Sequence, residues 1–240
     1  MRATKMERIK TYVERLDDRL EGGIPKGTIS LICGVAGCMK SSLTYSILYK
    51  NAVESNLKGL YITLEQEVQG LKKQMETLGL TEESEKLTIM DQKGIDKAVG
   101  VDMRFEHNSI KKVKYYVEDL LKREEYDLIA IDPLNALYSL TTIKNPRSEV
   151  HLFFDWLRET GITSFLISEM YQGDNRFGKY GVEEFLADAI IHLEFKRERN
   201  ILERYLGIVK MRYTNHHLQY FPLFYNKDRF IIYTKEELEL

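Results

Sequence analysis

The chain has 240 residues, 43% of them hydrophobic and 30% charged, enough apolar matter for one full core and consistent with a single domain over 1–240. A formal net charge of −2 argues against wholesale nucleic-acid binding, and no stretch approaches the roughly 18 apolar residues of a membrane span. Two cysteines, Cys33 and Cys38, are too few for a disulfide framework or a zinc site, and the N-terminus has no signal-peptide core, so a soluble, cytoplasmic protein is expected.

Apolar runs at 28–33, 59–64, 87–90, 127–131 and 162–168 alternate with helical spacings such as Leu43, Ile47, Val53 and Ile110, Val113, Val117, Leu120, Leu121. That alternation predicts an α/β fold, a mainly parallel sheet flanked by helices. Runs at 188–195, 203–212 and 229–233 lack intervening helices and predict antiparallel strands added at the C-terminal edge. The stretch 91–108 has the weakest pattern and reads as a surface insertion.

The first run opens into Gly34, Val35, Ala36, Gly37, Cys38, Met39, Lys40, Ser41 and Ser42, at the start of a helical pattern. A strand, a glycine loop and a helix start cradle phosphates because backbone N–H groups and the helix terminus face the anion. In such a loop the lysine adds a point charge and the next hydroxyl holds Mg²⁺. Lys40 and Ser41 take those positions. The usual pattern has glycine before the lysine, where this chain has Met39. Either the loop keeps ordinary dihedrals there or it is reshaped.

A triphosphatase also needs a carboxylate for the metal and one to position water. The run Tyr126–Asp132 ends in Asp132, the metal-side candidate together with Ser41, and Leu60–Leu64 delivers Glu65, the candidate base. Open parallel sheets place ligands at this carboxyl edge, although an acid at a strand end also serves as a cap. Ser168 or Glu169, ending a third run, is a candidate γ-phosphate or water contact. The guanine-selecting N-K-x-D spacing is absent, which favours adenine over guanine, and adjacent His216 and His217 would point to opposite sides of an extended chain, so no metal is assigned to them.

The ordering of the loop, Glu65 and Asp132 resembles the RecA superfamily, and in particular single-domain relatives of the circadian-clock ATPase KaiC. Two further segments are more specific. Glu21–Gly27 (EGGIPKG) is similar to the family's G-G-[LI]-P-x-G lead-in, and Tyr180–Asp188 (YGVEEFLAD) to its Y-G-V-E-E-F-x-x-D segment. The resemblance covers nearly the whole chain and implies ATP and Mg²⁺ as ligands. Val209-Lys210-Met211-Arg212 resembles the K-x-R strand of that family, whose bases reach the γ-phosphate held by a neighbouring subunit. The resemblance thus implies a homo-oligomer, ring or filament, with Lys210 and Arg212 catalytic in trans.

Some positions depart from the family. The paired glutamates of many KaiC domains become Glu65-Gln66, and Glu184-Phe185 stand where the clock protein's phosphorylated Ser-Thr pair would fall, so clock-type autophosphorylation is not supported. The leading expectation is a Mg²⁺-dependent ATPase acting through assembly or conformational change. Its alternatives are a slowly hydrolysing or non-hydrolysing nucleotide-gated module and a single-stranded DNA-binding ATPase. The last would use the loop Tyr171–Tyr180, with Arg176 and Lys179 beside its aromatic residues.

Overall fold

The computed structural model describes residues 6–100, 108–234 and 237. A short antiparallel pair, β1 (Arg8–Ile9) and β2 (Ile24–Pro25), leads into the main sheet. The five apolar runs form β3 (Ile29–Gly34), β4 (Gly59–Thr63), β5 (Leu87–Asp91), β6 (Leu128–Asp132) and β7 (Thr163–Glu169). Strands apolar at successive positions need cover on both faces, which crossover helices provide. Accordingly β3, β4 and β6 are buried along their whole length, whereas the edge strand β5 is half-buried throughout.

The cover comes from α1 (Lys40–Glu54) and α2 (Val68–Glu76) on one face, and from α3 (Gln92–Val99), α4 (Ser109–Leu121), α5 (Leu134–Ser139) and α6 (Pro146–Thr160) on the other. The two-residue period of a strand sorts its side chains between these layers. Ile32, Ala130 and Phe165 join Leu43 and Ile47 of α1, while Leu31, Ile129 and Leu166 join Val113, Phe153 and Phe154.

The C-terminal part supplies a short α7 (Glu183–Leu186) and four strands, β8 (Ala189–Glu198), β9 (Ile201–Met211), β10 (Tyr220–Asn226) and β11 (Arg229–Ile232). The sheet order is β11-β10-β9-β8-β3-β7-β6-β4-β5. It is parallel from β8 to β5, and antiparallel from β8 outward to β11.

Three details differ from the sequence expectation. β8 is parallel to β3, because the chain after β7 returns to the amino-terminal end of the parallel strands before entering it, with Ala189 opposite Ser30. β10 is an additional strand, hidden by Pro222, which cannot donate to a ladder. The strand changes partner at that point, pairing with β9 up to Pro222 and with β11 from Leu223 on. The weakly patterned stretch contains the helix α3, started by the Asp91 side chain accepting from the Gly94 N–H, while 101–107 lie outside the described residues.

Candidate nucleotide-binding site

The helix α1 begins without a side-chain cap and without an acidic residue in its first turn. α3, α4 and α6 are each capped, by Asp91, Asn108 and Asn145, whereas α2 and α5 share the uncapped start but do not follow a glycine loop. The first N–H groups of α1 are therefore open to an anion, and the helix dipole favours one there. Gly34 is required just below, since a Cβ on it would lie 2.1 Å from the Leu193 carbonyl oxygen.

Met39 sits in the left-handed region at φ 71°, ψ 30°, immediately before the helix. The loop therefore keeps a conformation suited to glycine and imposes it on methionine. Packing of the half-buried Met39 side chain against the core beneath α1 offsets that strain. Cys38 is fully buried, and its thiol donates to the Val35 carbonyl at 2.9 Å. Lys40 Nζ donates to the same carbonyl at 3.0 Å, which holds the ammonium over the loop.

Asp132 ends β6 beside this loop and is 8% exposed. Its Oδ2 accepts from the Tyr61 hydroxyl at 2.5 Å, and the Ser41 hydroxyl is a second donor to the carboxylate. Burial pushes the Asp132 carboxyl above its ordinary range, against the pull of those two donors and of Lys40. The Leu64 N–H donates to the Asp132 carbonyl at 2.7 Å, which brings the turn carrying Glu65 alongside. Glu65 is exposed, and its carboxyl is raised by partial burial and by the neighbouring Glu169 and Asp132 carboxylates.

A cleft of about 230 Å³ joins these groups, with Gly37, Lys40, Ser41, Glu65, Asp132 and Glu169 on its walls. Of the two candidates ending β7, Glu169 faces this cleft, while the Ser168 hydroxyl is buried with no hydrogen-bond partner among the described residues. The buried Asn135 fixes Glu169 by accepting from its N–H at 3.1 Å. With one serine hydroxyl and one carboxylate, the donors suit a hard, largely water-coordinated cation such as Mg²⁺.

Arg204 is a cleft neighbour that no local sequence signal marks. The β8–β9 register places it opposite Phe195, where its guanidinium lies 5.5 Å from that ring's centroid and Nε donates to the Gly37 carbonyl at 3.4 Å.

Lys210 and Arg212 are not in the cleft. Lys210 pairs with Ile190 and Met211 with Ala189, itself opposite Ser30, so both bases stand at the amino-terminal end of the parallel strands. Gly34 lies four residues beyond Ser30, roughly 13 Å further along the strand direction. Lys210 Nζ donates to the Ala187 carbonyl at 2.6 Å and to the Glu184 carbonyl at 3.1 Å, and burial beside Arg212 lowers its pKa. Arg212 Nη1 pairs with Asp188 Oδ1 at 2.9 Å and stays half-exposed. In the loop considered for DNA, Arg176 pairs with Asp174 at 2.8 Å and Lys179 donates to the Ser139 hydroxyl at 3.1 Å.

The strand order, with an uncapped helix rising from a glycine loop after β3, puts the chain among the P-loop nucleotide-binding proteins of the RecA superfamily. It belongs to the KaiC family of ATPases, whose model matches residues 9–237. UPF0273 protein MJ1359 of Methanocaldococcus jannaschii is 30% identical over 98% of this chain and 100% of its own length. The circadian clock protein KaiC2 of Synechocystis is 27% identical over 88% of the chain, and the match spans only 37% of that longer protein. The crystal structure of KaiC-like protein PH0186 from Pyrococcus horikoshii superposes with a TM-score of 0.78 at 25% identity, covering 95% of this chain and 100% of that one. Among the described residues no helix is long and apolar enough to cross a membrane.

Proposed function

We propose that the protein, acting as one domain, binds ATP at the 34–42 loop and hydrolyses it, using the cycle to drive assembly or conformational change. The carrying observation is the convergence of Lys40, Ser41, Asp132 and Glu65 on one cleft at an uncapped helix terminus. The open N–H groups of α1 and the Lys40 ammonium bind the phosphates. Ser41 and Asp132 would hold Mg²⁺, whose charge offsets that of the phosphate oxygens. Glu65 orients the attacking water and accepts its proton, helped by a carboxyl raised toward the working pH.

The remoteness of Lys210 and Arg212 from their own loop supports a role on a neighbouring copy, as the family resemblance implies. A slowly hydrolysing, nucleotide-gated module is the second reading, favoured by the solvent exposure of Glu65 and by neutral Gln66 beside it.

Calorimetry with Mg-ATP and a phosphate-release assay separate these readings. Lys40→Ala should lose binding. Glu65→Gln should keep binding while turnover falls on the order of 10²–10⁴-fold, the usual contribution of a general base. A Glu65→Gln protein that releases phosphate at the parental rate removes Glu65 from the mechanism. Phosphate release indistinguishable from background in the parent protein selects the gated module.

A further inference from the structure

A second, larger cavity of about 460 Å³ opens between α1, α2 and β5 and shares no lining residue with the nucleotide cleft. Its apolar part is built from Leu80, Leu87, Ile89 and the rings of Tyr45 and Tyr49, which stack with centroids 6.1 Å apart and planes 20° from parallel. Its rim carries Glu76, Glu82, Glu83 and Glu85 against a single ammonium, Lys72. Among the described residues none of these four carboxylates has an ion-pair or side-chain hydrogen-bond partner. Unneutralised negative charge at the mouth of a low-dielectric hollow concentrates cations there.

Tyr45 supplies the second observation. It is only 5% exposed and lines the cavity, yet its hydroxyl has no hydrogen-bond partner among the described residues. The hydroxyl is neutral near pH 7, which burial, by pushing its pKa up to about 12, only reinforces, and its lone pairs can accept from a cationic N–H. Tyr49 behaves differently: its hydroxyl accepts from the Glu82 N–H at 2.8 Å and so ties down the acidic segment at the rim.

The occupant's class follows from these groups. A small metal ion does not fit, because among the described residues no three Asp, Glu, His or Cys side chains are close enough to share one. A larger cation can reach separate carboxylates, lay its charge against a tyrosine ring and bury an alkyl stem on the leucines. The volume is that of a small-molecule site. We infer that this cavity binds an organic cation, a guanidinium or ammonium group on an alkyl body, through Tyr45 and the Glu76 and Glu82 carboxylates. The charged group could arrive as a free metabolite or as a basic side chain of another protein.

Calorimetric titration of the full-length protein with agmatine, spermidine and acetyl-Gly-Arg-Gly-amide tests this. Saturable one-to-one binding is expected, weakened about tenfold or more in Glu76→Gln/Glu82→Gln, the equivalent of about 1.4 kcal/mol. Tyr45→Phe should weaken it several-fold, and Lys40→Ala should leave it unchanged. Both carboxylates are exposed, so the double variant should fold, and its thermal unfolding checks that. Binding of the two free amines without the peptide assigns the site to a metabolite, while preference for the peptide assigns it to a protein's basic side chain. No saturation by any of the three at about 1 mM, a binding energy of about −4 kcal/mol, overturns the inference. Equal binding by the double variant also overturns it.

Discussion

Met39 holds φ 71° at the entrance to α1, a conformation that costs an L-residue about 1–2 kcal/mol by crowding its Cβ against the next carbonyl. Glycine escapes that crowding but loses about 0.5–1 kcal/mol more chain entropy on folding than alanine does. The first effect is larger, so at this position Met39→Gly should be more stable than Met39→Ala by about 0.5–1 kcal/mol, the reverse of their order inside a helix. Both variants lose the Met39 packing contact equally, which makes the comparison clean. Urea unfolding of the two measures the difference, and alanine equal to or better than glycine would show that the position is not left-handed in solution. The sequence marked Met39 as the odd residue of the loop. It could not decide between ordinary and glycine-like dihedrals, because that depends on how much core the thioether reaches.

Among the elements, those buried on both faces were the legible ones. β3, β4, β6 and β7 read as largely apolar runs because helices cover both sides, and each run ended within one residue of its strand's end. β10 was not legible, since Pro222 argues against a strand unless the partner switch at that residue is known. The direction of β8 was also hidden, because it depends on how 170–188 cross the sheet edge. Asp188 enforces that crossing. Its Oδ2 accepts from the Ile29 N–H at 3.0 Å, its Oδ1 meets Arg212 at 2.9 Å, and its own N–H donates to the Ile29 carbonyl at 2.8 Å. Asp188→Ala should cost about 2–3 kcal/mol, mostly for leaving a buried N–H unpaired. The half-exposed Arg212 adds little through solvent-screened charge. Equilibrium urea unfolding reads this, and a change under about 0.5 kcal/mol, the level of an ordinary surface substitution, would mean the crossing is held by packing alone.

At the scale of the whole molecule, Lys40, Ser41, Glu65 and Asp132 were legible as neighbours because parallel strands deliver their carboxyl ends to one edge. Arg204 was not, since its approach to Gly37 depends on the β8–β9 register rather than on any local pattern. The same register carries Lys210 and Arg212 to the far end, which makes the trans proposal a question of assembly geometry. A heterologous contact, in which one face of each copy meets a different face of the next, pairs each loop with the bases of a neighbour. Lys40→Ala protomers then lack a working loop but still donate bases, and Arg212→Ala protomers do the reverse. Loss of an arginine finger costs on the order of 10³–10⁵ in rate, so each homo-assembly should be nearly inactive. In an equal mixture that exchanges subunits, half the protomers have a sound loop and half of those meet a sound neighbour. Phosphate release should therefore rise to about a quarter of the parental rate per protomer. Each variant's oligomer size and thermal unfolding must match the parent's, because Arg212 also pairs with Asp188. If the mixture stays at the level of its two components after exchange, Arg212 serves its own chain at the Asp188 contact, and the neighbour's phosphates are met by other groups.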